Sequence, residues 1–148
     1  IPFNYGKKES RPFIGVLFSI NECEYFAPLS SPKPKHMQMK NNLDFYKINN
    51  GIFGVVNFNN MIPVTKDCYE IINLNEKVKT TKETEYIELL KNQLKYLNKN
   101  YIELKSKAFK LYELYINNKL PKNIKIRCCN FKLLEEKCQE YEQEKIKS

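Results

Sequence analysis

The sequence predicts an α+β fold in which a small, strongly curved antiparallel sheet packs against about three to four helices. Short segments rich in β-branched and aromatic residues fill the first half of the chain, and roughly four to six such strands suffice for a curved sheet or partial barrel. In the second half, apolar residues recur at alternating spacings of three and four, as on one face of a helix. A chain of 148 residues can bury one core, so we expect a single domain, 1–148.

Two hairpins begin the predicted sheet. The first joins strands at 13–20 and 23–29, and the second joins strands at 43–48 and 52–58. Asn49-Asn50-Gly51, between the second pair, is typical of a turn with positive φ angles.

Glycine and proline mark special positions in this region. Gly15 and Gly54 interrupt strands, which predicts bulges or close approaches of another backbone. Pro63 cannot donate a ladder hydrogen bond, so the segment 61–64 is predicted at a sheet edge. A further strand is predicted at 68–72.

The helical half begins near Thr80, which forms a candidate capping box with Glu83. An unbroken helix over 81–117 would be about 55 Å long, whereas a compact domain of this size has a radius of gyration of about 15 Å. We therefore expect a break or sharp bend at Asn98-Lys99-Asn100 that makes two helices. A long coiled coil is the alternative.

The end of the chain contains a loop, a short element and a last helix. A loop at 119–123 precedes a short strand predicted at 124–128. Asn130 is a plausible N-cap for a helix over about 131–145.

The charge balance favours a polyanionic partner. Lys and Arg number 25 against 17 Asp and Glu, which gives a net charge of +8 and attracts RNA, DNA or an anionic membrane. Asp44 and Asp67 are the only aspartates, which argues against an Asp-rich two-metal nuclease site.

The cysteines and the hydropathy bear on cofactors and location. Five cysteines without a CxxC pair, and one histidine, do not make a common zinc site, so we expect no metal and no cofactor. An odd number of cysteines is typical of reduced thiols. No apolar run approaches the roughly 20 residues of a membrane span, and we expect no signal peptide. We expect a soluble, cytoplasmic protein.

The segment 25–36, YFAPLSSPKPKH, joins a strand end to two hydroxyls, two lysines and the only histidine. Its three prolines predict a stiff loop over 30–36 on the rim of the sheet. A rigid rim that presents hydroxyl, ammonium and imidazole groups together suits chemistry on a phosphodiester. The alternative is a solvated turn, since Ser, Pro and Lys are common in loops.

Three blocks, in the same order along the chain, carry a resemblance to a known family. They are 13–17 (FIGVL), 25–36 (YFAPLSSPKPKH) and 129–137 (CNFKLLEEK). With these blocks the chain resembles the ToxN/AbiQ family, the toxins of type III toxin–antitoxin systems. The resemblance implies a metal-independent endoribonuclease that cuts single-stranded, A-rich RNA and is inhibited by a repeated, pseudoknotted RNA antitoxin. It also implies a closed ring of alternating protein and RNA, and phage defence by abortive infection.

The resemblance also implies roles for single residues. Ser30, Ser31 and Lys33 match positions that the family needs for activity, and Arg11 falls where relatives carry a basic residue that supports cleavage. Tyr5 lies near the family's tyrosine position. Family members usually begin with a further strand and short helix, so we expect part of the N-terminus to be missing from this chain. The expected sheet is a partial barrel of the MazF/SH3-like kind.

RNA carries its own nucleophile, the 2′-hydroxyl. Its metal-free cleavage needs in-line alignment, a proton acceptor, positive charge for the phosphorane and a donor for the leaving 5′-oxygen. Lys33 could neutralise the charge and, if desolvated beside Lys35, transfer a proton, while Ser31 and Ser30 could donate hydrogen bonds to phosphate oxygens. His36 could transfer a proton, or it could be structural and tie the loop to the sheet. The expected products are a 2′,3′-cyclic phosphate and a 5′-hydroxyl.

Further side chains are candidates for contacts with RNA phosphates or bases. They are Tyr5, Lys7, Lys8, Lys35, Lys40, Lys47, Lys122, Lys125 and Arg127. Each could instead be a solvated surface group. Two other functions fit the same sequence: an RNA-binding module without catalysis, and a protein-interaction scaffold built on the helices.

Overall fold

The computed structural model describes residues 14–71 and 80–147. The strands in these residues are β1 (Gly15–Ile20), β2 (Cys23–Ser30), β3 (Phe45–Lys47), β4 (Val55–Asn57) and β5 (Ile62–Pro63). The α-helices are α1 (Pro34–Gln38), α2 (Thr81–Lys99), α3 (Tyr101–Ile116), α4 (Lys122–Lys125) and α5 (Phe131–Lys147). One-turn 3₁₀ helices span Ile48–Gly51, Phe58–Asn60 and Lys66–Cys68. The predicted α+β class, with an antiparallel sheet, is confirmed.

The β1–β2 hairpin follows from its turn residues. Asn21 and Glu22 have φ angles of 50° and 66°, and two positive φ angles give a turn that matches the right-handed twist of the two strands. The antiparallel register runs from Gly15 opposite Pro28 to Ile20 opposite Cys23. The first predicted hairpin is therefore confirmed for the described residues.

Strand β2 organises the sheet because two strands share its second edge. β1 pairs along one edge, whereas β5 pairs with Tyr25 and Phe26, and β4 pairs with Leu29 and Ser30. β3 pairs with β4, which gives the order β1-β2-β4-β3 with β5 beside β2 in the described part of the chain. The second predicted hairpin, β3–β4, is confirmed, and so is the strand that contains Pro63.

The core lies between the sheet and helices α3 and α5. Phe131, at the start of α5, is fully buried, and its ring centroid lies 4.8 Å from that of Tyr115, 5.8 Å from Tyr112 and 5.9 Å from Tyr25. The Tyr25 hydroxyl donates to the Glu135 carboxylate, so the only polar atom of this buried ring is satisfied. Each large side chain buried in this way stabilises the fold by roughly 1.5–3 kcal/mol.

The helix boundaries follow the predicted signals. Thr80 is the N-cap of α2, and its hydroxyl oxygen accepts from the Glu83 N–H at 3.1 Å. The predicted break is confirmed at Asn100, which separates α2 from α3 with φ −112° and ψ 21°. The Asn130 side chain caps α5 by accepting from the Leu133 N–H at 3.2 Å. No helix in the described residues is apolar over enough length to span a bilayer.

Two predictions about secondary structure were wrong. The segment 124–128 is not a strand: helix α4 begins after Pro121, whose carbonyl accepts from the N–H groups of Ile124 and Lys125. A half-buried strand would bury both isoleucines of this segment, but Ile124 is 3% exposed and Ile126 is 83% exposed. The other wrong prediction is the strand at 68–72, since 69–71 form no regular element and 72 lies outside the described residues.

The predicted loop over 30–36 is also part helix. β2 extends to Ser30, and α1 begins at Pro34. The fixed φ of proline suits the first position of a helix, where no N–H is needed, so Pro34 starts a helix rather than preventing one.

Candidate active site

The segment between β2 and α1, with the first turn of α1, forms the rim of the sheet; we define the rim as residues 30–36. Ser31, Lys33 and Lys35 are exposed on it, and Ser30 is half-buried. Ser31 and both lysines of the sequence motif are therefore open to solvent on one continuous segment, with the half-buried Ser30 at its start. An exposed ammonium group beside hydroxyl donors is an arrangement that can bind a phosphate.

His36 holds the rim from inside. Its side chain is only 3% exposed, and its Nδ1 atom accepts from the Lys33 N–H at 3.1 Å. The His36 N–H in turn donates to the Lys33 carbonyl at 2.9 Å. The bond to Nδ1 is one half of a capping box, with histidine in the place of Glu or Gln, and the bond to the Lys33 carbonyl closes the first turn of α1 through the backbone.

The electrostatic environment keeps this imidazole neutral. Burial lowers the pKa of His36 from its ordinary value of 6.5, and the charges of Lys35 and Lys33 lower it further. A neutral ring whose Nδ1 accepts a hydrogen bond carries its proton on Nε2. These observations favour the structural interpretation of His36, and the catalytic assignment stays a prediction.

Two glycines from the β3–β4 connection pack against the rim backbone. Gly54 has φ +98°, and a Cβ atom there would lie 1.9 Å from the Ser30 carbonyl oxygen. Gly51 has φ +91°, and its Cβ atom would lie 2.6 Å from the His36 carbonyl oxygen. Only glycine combines a positive φ with such a close approach. The rim is thereby supported near both of its ends.

Strands β3 and β4 also contribute side-chain contacts. The Asn57 Nδ2 atom donates to the Ser30 hydroxyl oxygen at 2.6 Å. Lys47 Nζ donates to the Met39 carbonyl at 2.8 Å, so this ammonium group binds the C-terminal end of α1. Asn57 was missed by the sequence reasoning, although an asparagine within a strand was a usable signal, because Asn is depleted in strands.

Two of the predicted RNA contacts near the chain end have partners within the protein. Arg127 Nε donates to Asp44 Oδ2 at 2.8 Å, and the Asp44 side chain is only 1% exposed. Asp44 directly precedes β3. Lys125 Nζ donates to Asn118 Oδ1 at 2.8 Å. Arg127 thus has a structural ion-pair partner.

The remaining predicted residues are exposed lysines or lie outside the described part of the chain. Lys40 is exposed just after α1, and Lys122 is exposed at the start of α4. The candidates before residue 14 lie outside the described residues: Tyr5, Lys7, Lys8 and Arg11. Within 14–71 and 80–147, no three His, Cys, Asp or Glu side chains are grouped so that they could hold a metal ion.

Comparison with known proteins decides the family. Residues 3–139 match the family described as "Toxin ToxN, type III toxin-antitoxin system". The chain belongs to the ToxN family. It is 36% identical over 148 residues to "Endoribonuclease ToxN" of Bacillus thuringiensis subsp. kurstaki, with 97% of this chain and 75% of that protein covered. It is 31% identical over 140 residues to "Endoribonuclease ToxN" of Pectobacterium atrosepticum, with 90% of this chain and 77% of that protein covered.

Solved structures share the same fold. One, from work on a processed non-coding RNA that regulates a bacterial antiviral system, has a TM-score of 0.73 and 28% identity, and covers 94% of this chain and 85% of its own. Another, from work on selective toxin inhibition by a non-coding RNA pseudoknot in type III toxin–antitoxin systems, has a TM-score of 0.71 and 34% identity. It covers 96% of this chain and 86% of its own. The family expected from the three sequence blocks is confirmed.

Proposed function

We propose that this ToxN family member is a metal-independent endoribonuclease toxin that cuts single-stranded, A-rich RNA. The observation that carries the proposal is the rim, where Ser31 and Lys33 are exposed together on a segment that His36 and two glycines hold in place. Two relatives named as endoribonucleases, each matched over most of this chain, support it. So does the net charge of +8, which favours a polyanionic substrate.

The reaction is an internal transesterification. The 2′-hydroxyl oxygen loses its proton and attacks the adjacent phosphorus, the bond from phosphorus to the 5′-oxygen breaks, and that oxygen gains a proton. The products are a 2′,3′-cyclic phosphate and a 5′-hydroxyl. Lys33 neutralises charge on the phosphorane, and Ser31 and Ser30 donate hydrogen bonds to its non-bridging oxygens. Each of these interactions is stronger in the transition state than in the bound RNA, because negative charge grows on those oxygens.

His36 acts in this mechanism through Lys33. The buried imidazole accepts the Lys33 N–H and so sets the backbone from which the ammonium group extends. We assign Arg11 a supporting role in cleavage from the family resemblance, and Tyr5 a role in stacking on an RNA base because its side chain is aromatic.

Other cations bind the RNA backbone in this proposal. Lys35 and Lys40 lie on or just after the exposed rim and contact phosphates on either side of the cut. The other candidate cations provide further phosphate contacts in this proposal: Lys7, Lys8, Lys122, Lys125 and Arg127. Arg127 also has a structural role, because it forms an ion pair with the buried Asp44 carboxylate.

The proposed regulator is a repeated, pseudoknotted RNA antitoxin that covers the rim and assembles with the protein into a closed ring. The similar solved structure from work on toxin inhibition by a non-coding RNA pseudoknot supports this part. In the cytoplasm of an infected cell, the released toxin would cut RNA and so abort phage growth. The similar structure from work on a bacterial antiviral system supports that role.

The test is cleavage of an A-rich single-stranded RNA in EDTA. The parent should cut it, and Lys33→Ala and Ser31→Ala should each lower the rate by about 10²–10³-fold, the usual loss for one oxyanion-stabilising group. Lys137→Ala is a matched control, because Lys137 is an exposed lysine on α5 that pairs with Glu140. The new 5′ ends should accept phosphate from polynucleotide kinase without prior dephosphorylation.

Two outcomes would overturn the proposal. Equal cleavage by the parent and both rim variants would assign the activity to another site or to a contaminant. Tight binding of the RNA by the parent, with no cleavage in any divalent-free or divalent-containing buffer, would leave the alternative, a non-catalytic RNA-binding module.

A further inference from the structure

Asn57 is the polar side chain of β4 that contacts the rim. We propose that it is a positioning residue that orients the Ser30 hydroxyl so that its proton points to the RNA phosphate. The inference rests on the proposed function, because it gives Ser30 the role of a hydrogen-bond donor to the phosphorane. The observation behind it is the 2.6 Å contact in which Asn57 Nδ2 donates to Ser30 Oγ.

The sheet register explains why this pair meets. Ser30 is paired with Val55 across the β2–β4 ladder. Asn57 lies two residues further along β4, so its side chain projects from the same face of the sheet as Val55 and Ser30. Diagonal neighbours across a ladder have backbones roughly 7–8 Å apart. The Asn57 amide and the Ser30 hydroxyl reach toward each other across this distance. Asn57 and Ser30 are both half-buried, so the contact is shielded from much of the solvent.

The chemistry follows from the direction of the hydrogen bond. A serine hydroxyl has one proton to donate and two lone pairs that accept. An amide N–H that occupies a lone pair leaves the proton free to donate elsewhere. It also polarises the hydroxyl and strengthens the bond that it donates, by about 10–30% in condensed-phase estimates. Asn57 therefore favours the one hydroxyl orientation that is useful to a phosphate oxygen.

Residues at the start of β4 also hold the Ser30 backbone. Gly54 packs against the Ser30 carbonyl, and Val55 pairs with Ser30 in the ladder. With the main chain immobilised, rotation about the Ser30 side-chain bonds is the freedom that remains. A residue that removes this freedom should raise kcat and leave RNA binding nearly unchanged, because the aligned bond gains strength in the transition state.

Asn57→Asp is the decisive variant, because it keeps the shape and reverses the hydrogen bond. A carboxylate cannot donate, so it would accept the Ser30 proton and withdraw it from the phosphate. We expect kcat to fall by about 10²-fold, with a much smaller change in the Kd for an uncleavable 2′-deoxy analogue of the RNA. Asn57→Ala removes the donor without reversing the bond, so its loss of kcat should be smaller. A merely structural role predicts the opposite order, since Asp is the closer match in shape.

Asn42→Asp is the matched control for the added negative charge. Asn42 is exposed, and its Oδ1 atom accepts from the Leu43 N–H, which an aspartate would also do. This variant should cut RNA at the parent's rate. Thermal unfolding of each variant shows that the rates compare folded proteins. Parent-like kcat in a folded Asn57→Asp protein would overturn the inference.

A double-mutant cycle separates this inference from the proposed function. If Asn57 acts through Ser30, then Asn57→Asp should have no further effect on kcat in a Ser30→Ala background. The same fold-loss in both backgrounds would show that Asn57 acts by another route, which overturns the inference alone. Parent-like activity of Ser30→Ala would instead remove the role that the proposed function gives to Ser30.

Discussion

Gly54→Ala tests whether the β3–β4 connection shapes the rim. Gly54 lies just before β4 with φ +98°, and the added Cβ atom would lie 1.9 Å from the Ser30 carbonyl oxygen. Cβ contacts below 3.0 Å are essentially never seen, so one backbone must move by about 1 Å. Because Ser30 is paired with Val55 in the ladder, that movement also strains the β2–β4 pairing.

The expected cost has two parts. A non-glycine residue at positive φ costs roughly 1–2 kcal/mol. Displacing the paired backbone adds about 1–3 kcal/mol, through a weakened ladder hydrogen bond and lost packing. We therefore expect Gly54→Ala to lower the free energy of unfolding by about 2–5 kcal/mol, a large part of the 5–15 kcal/mol typical of a domain.

Urea denaturation measures this cost, and Asn50→Ala is the matched control. Asn50 lies in the same connection with φ 55° and is exposed. Its substitution should cost about 1 kcal/mol from the positive φ alone. Gly54→Ala should also lower the rate of RNA cleavage at saturating RNA, whereas Asn50→Ala should not. Equal unfolding free energies for the two variants would show that the contact with Ser30 does not require glycine at position 54.

Three further predictions concern charged groups. Burial and the neighbouring lysines lower the pKa of His36 from 6.5 in the folded protein. The unfolded chain therefore binds a proton at this histidine more readily than the folded protein does. The free energy of unfolding measured in urea should fall as the pH drops below about 6.5. His36→Asn should flatten that dependence, and an equally steep curve would contradict it. Arg127→Ala leaves the buried Asp44 carboxylate without its cation, which is itself exposed, and should cost about 1.5–3 kcal/mol. Adding Asp44→Asn should recover part of this loss, and no recovery would contradict the explanation. Lys35→Ala should reduce the slope of log Kd for RNA against log salt by about 1, with kcat unchanged, and an unchanged slope would remove Lys35 from the RNA contacts.

Much of the fold was predictable because its signals are local. The Asn49-Asn50-Gly51 turn needs positive φ angles, which Asn and Gly tolerate, and all three residues adopt them. The N-caps Thr80 and Asn130 lie within three residues of the N–H groups from which their side chains accept hydrogen bonds. The break at Asn100 followed from a comparison of helix length with domain size. Each inference used a few adjacent residues or the length of the chain.

The errors occurred where local signals were ambiguous. Apolar and polar residues alternate over 124–128, which suits a strand. In the structure a helical turn begins after Pro121, and it places Ile124 in the core. Pro34 was expected to keep the rim extended, although a proline also suits the first turn of a helix. In both cases the choice depends on packing with distant residues, which periodicity does not report.

The sequence by itself determined which chemical groups stand together on the rim, because Ser30, Ser31 and Lys33 are adjacent along the chain. Only the tertiary structure decided what holds them. Asn57 meets Ser30 across 27 positions, and Arg127 meets Asp44 across 83. Such contacts depend on which strands pair and in which register, and here β2 shares one edge between β4 and β5. A shift of one residue would turn Asn57 to the other face of the sheet.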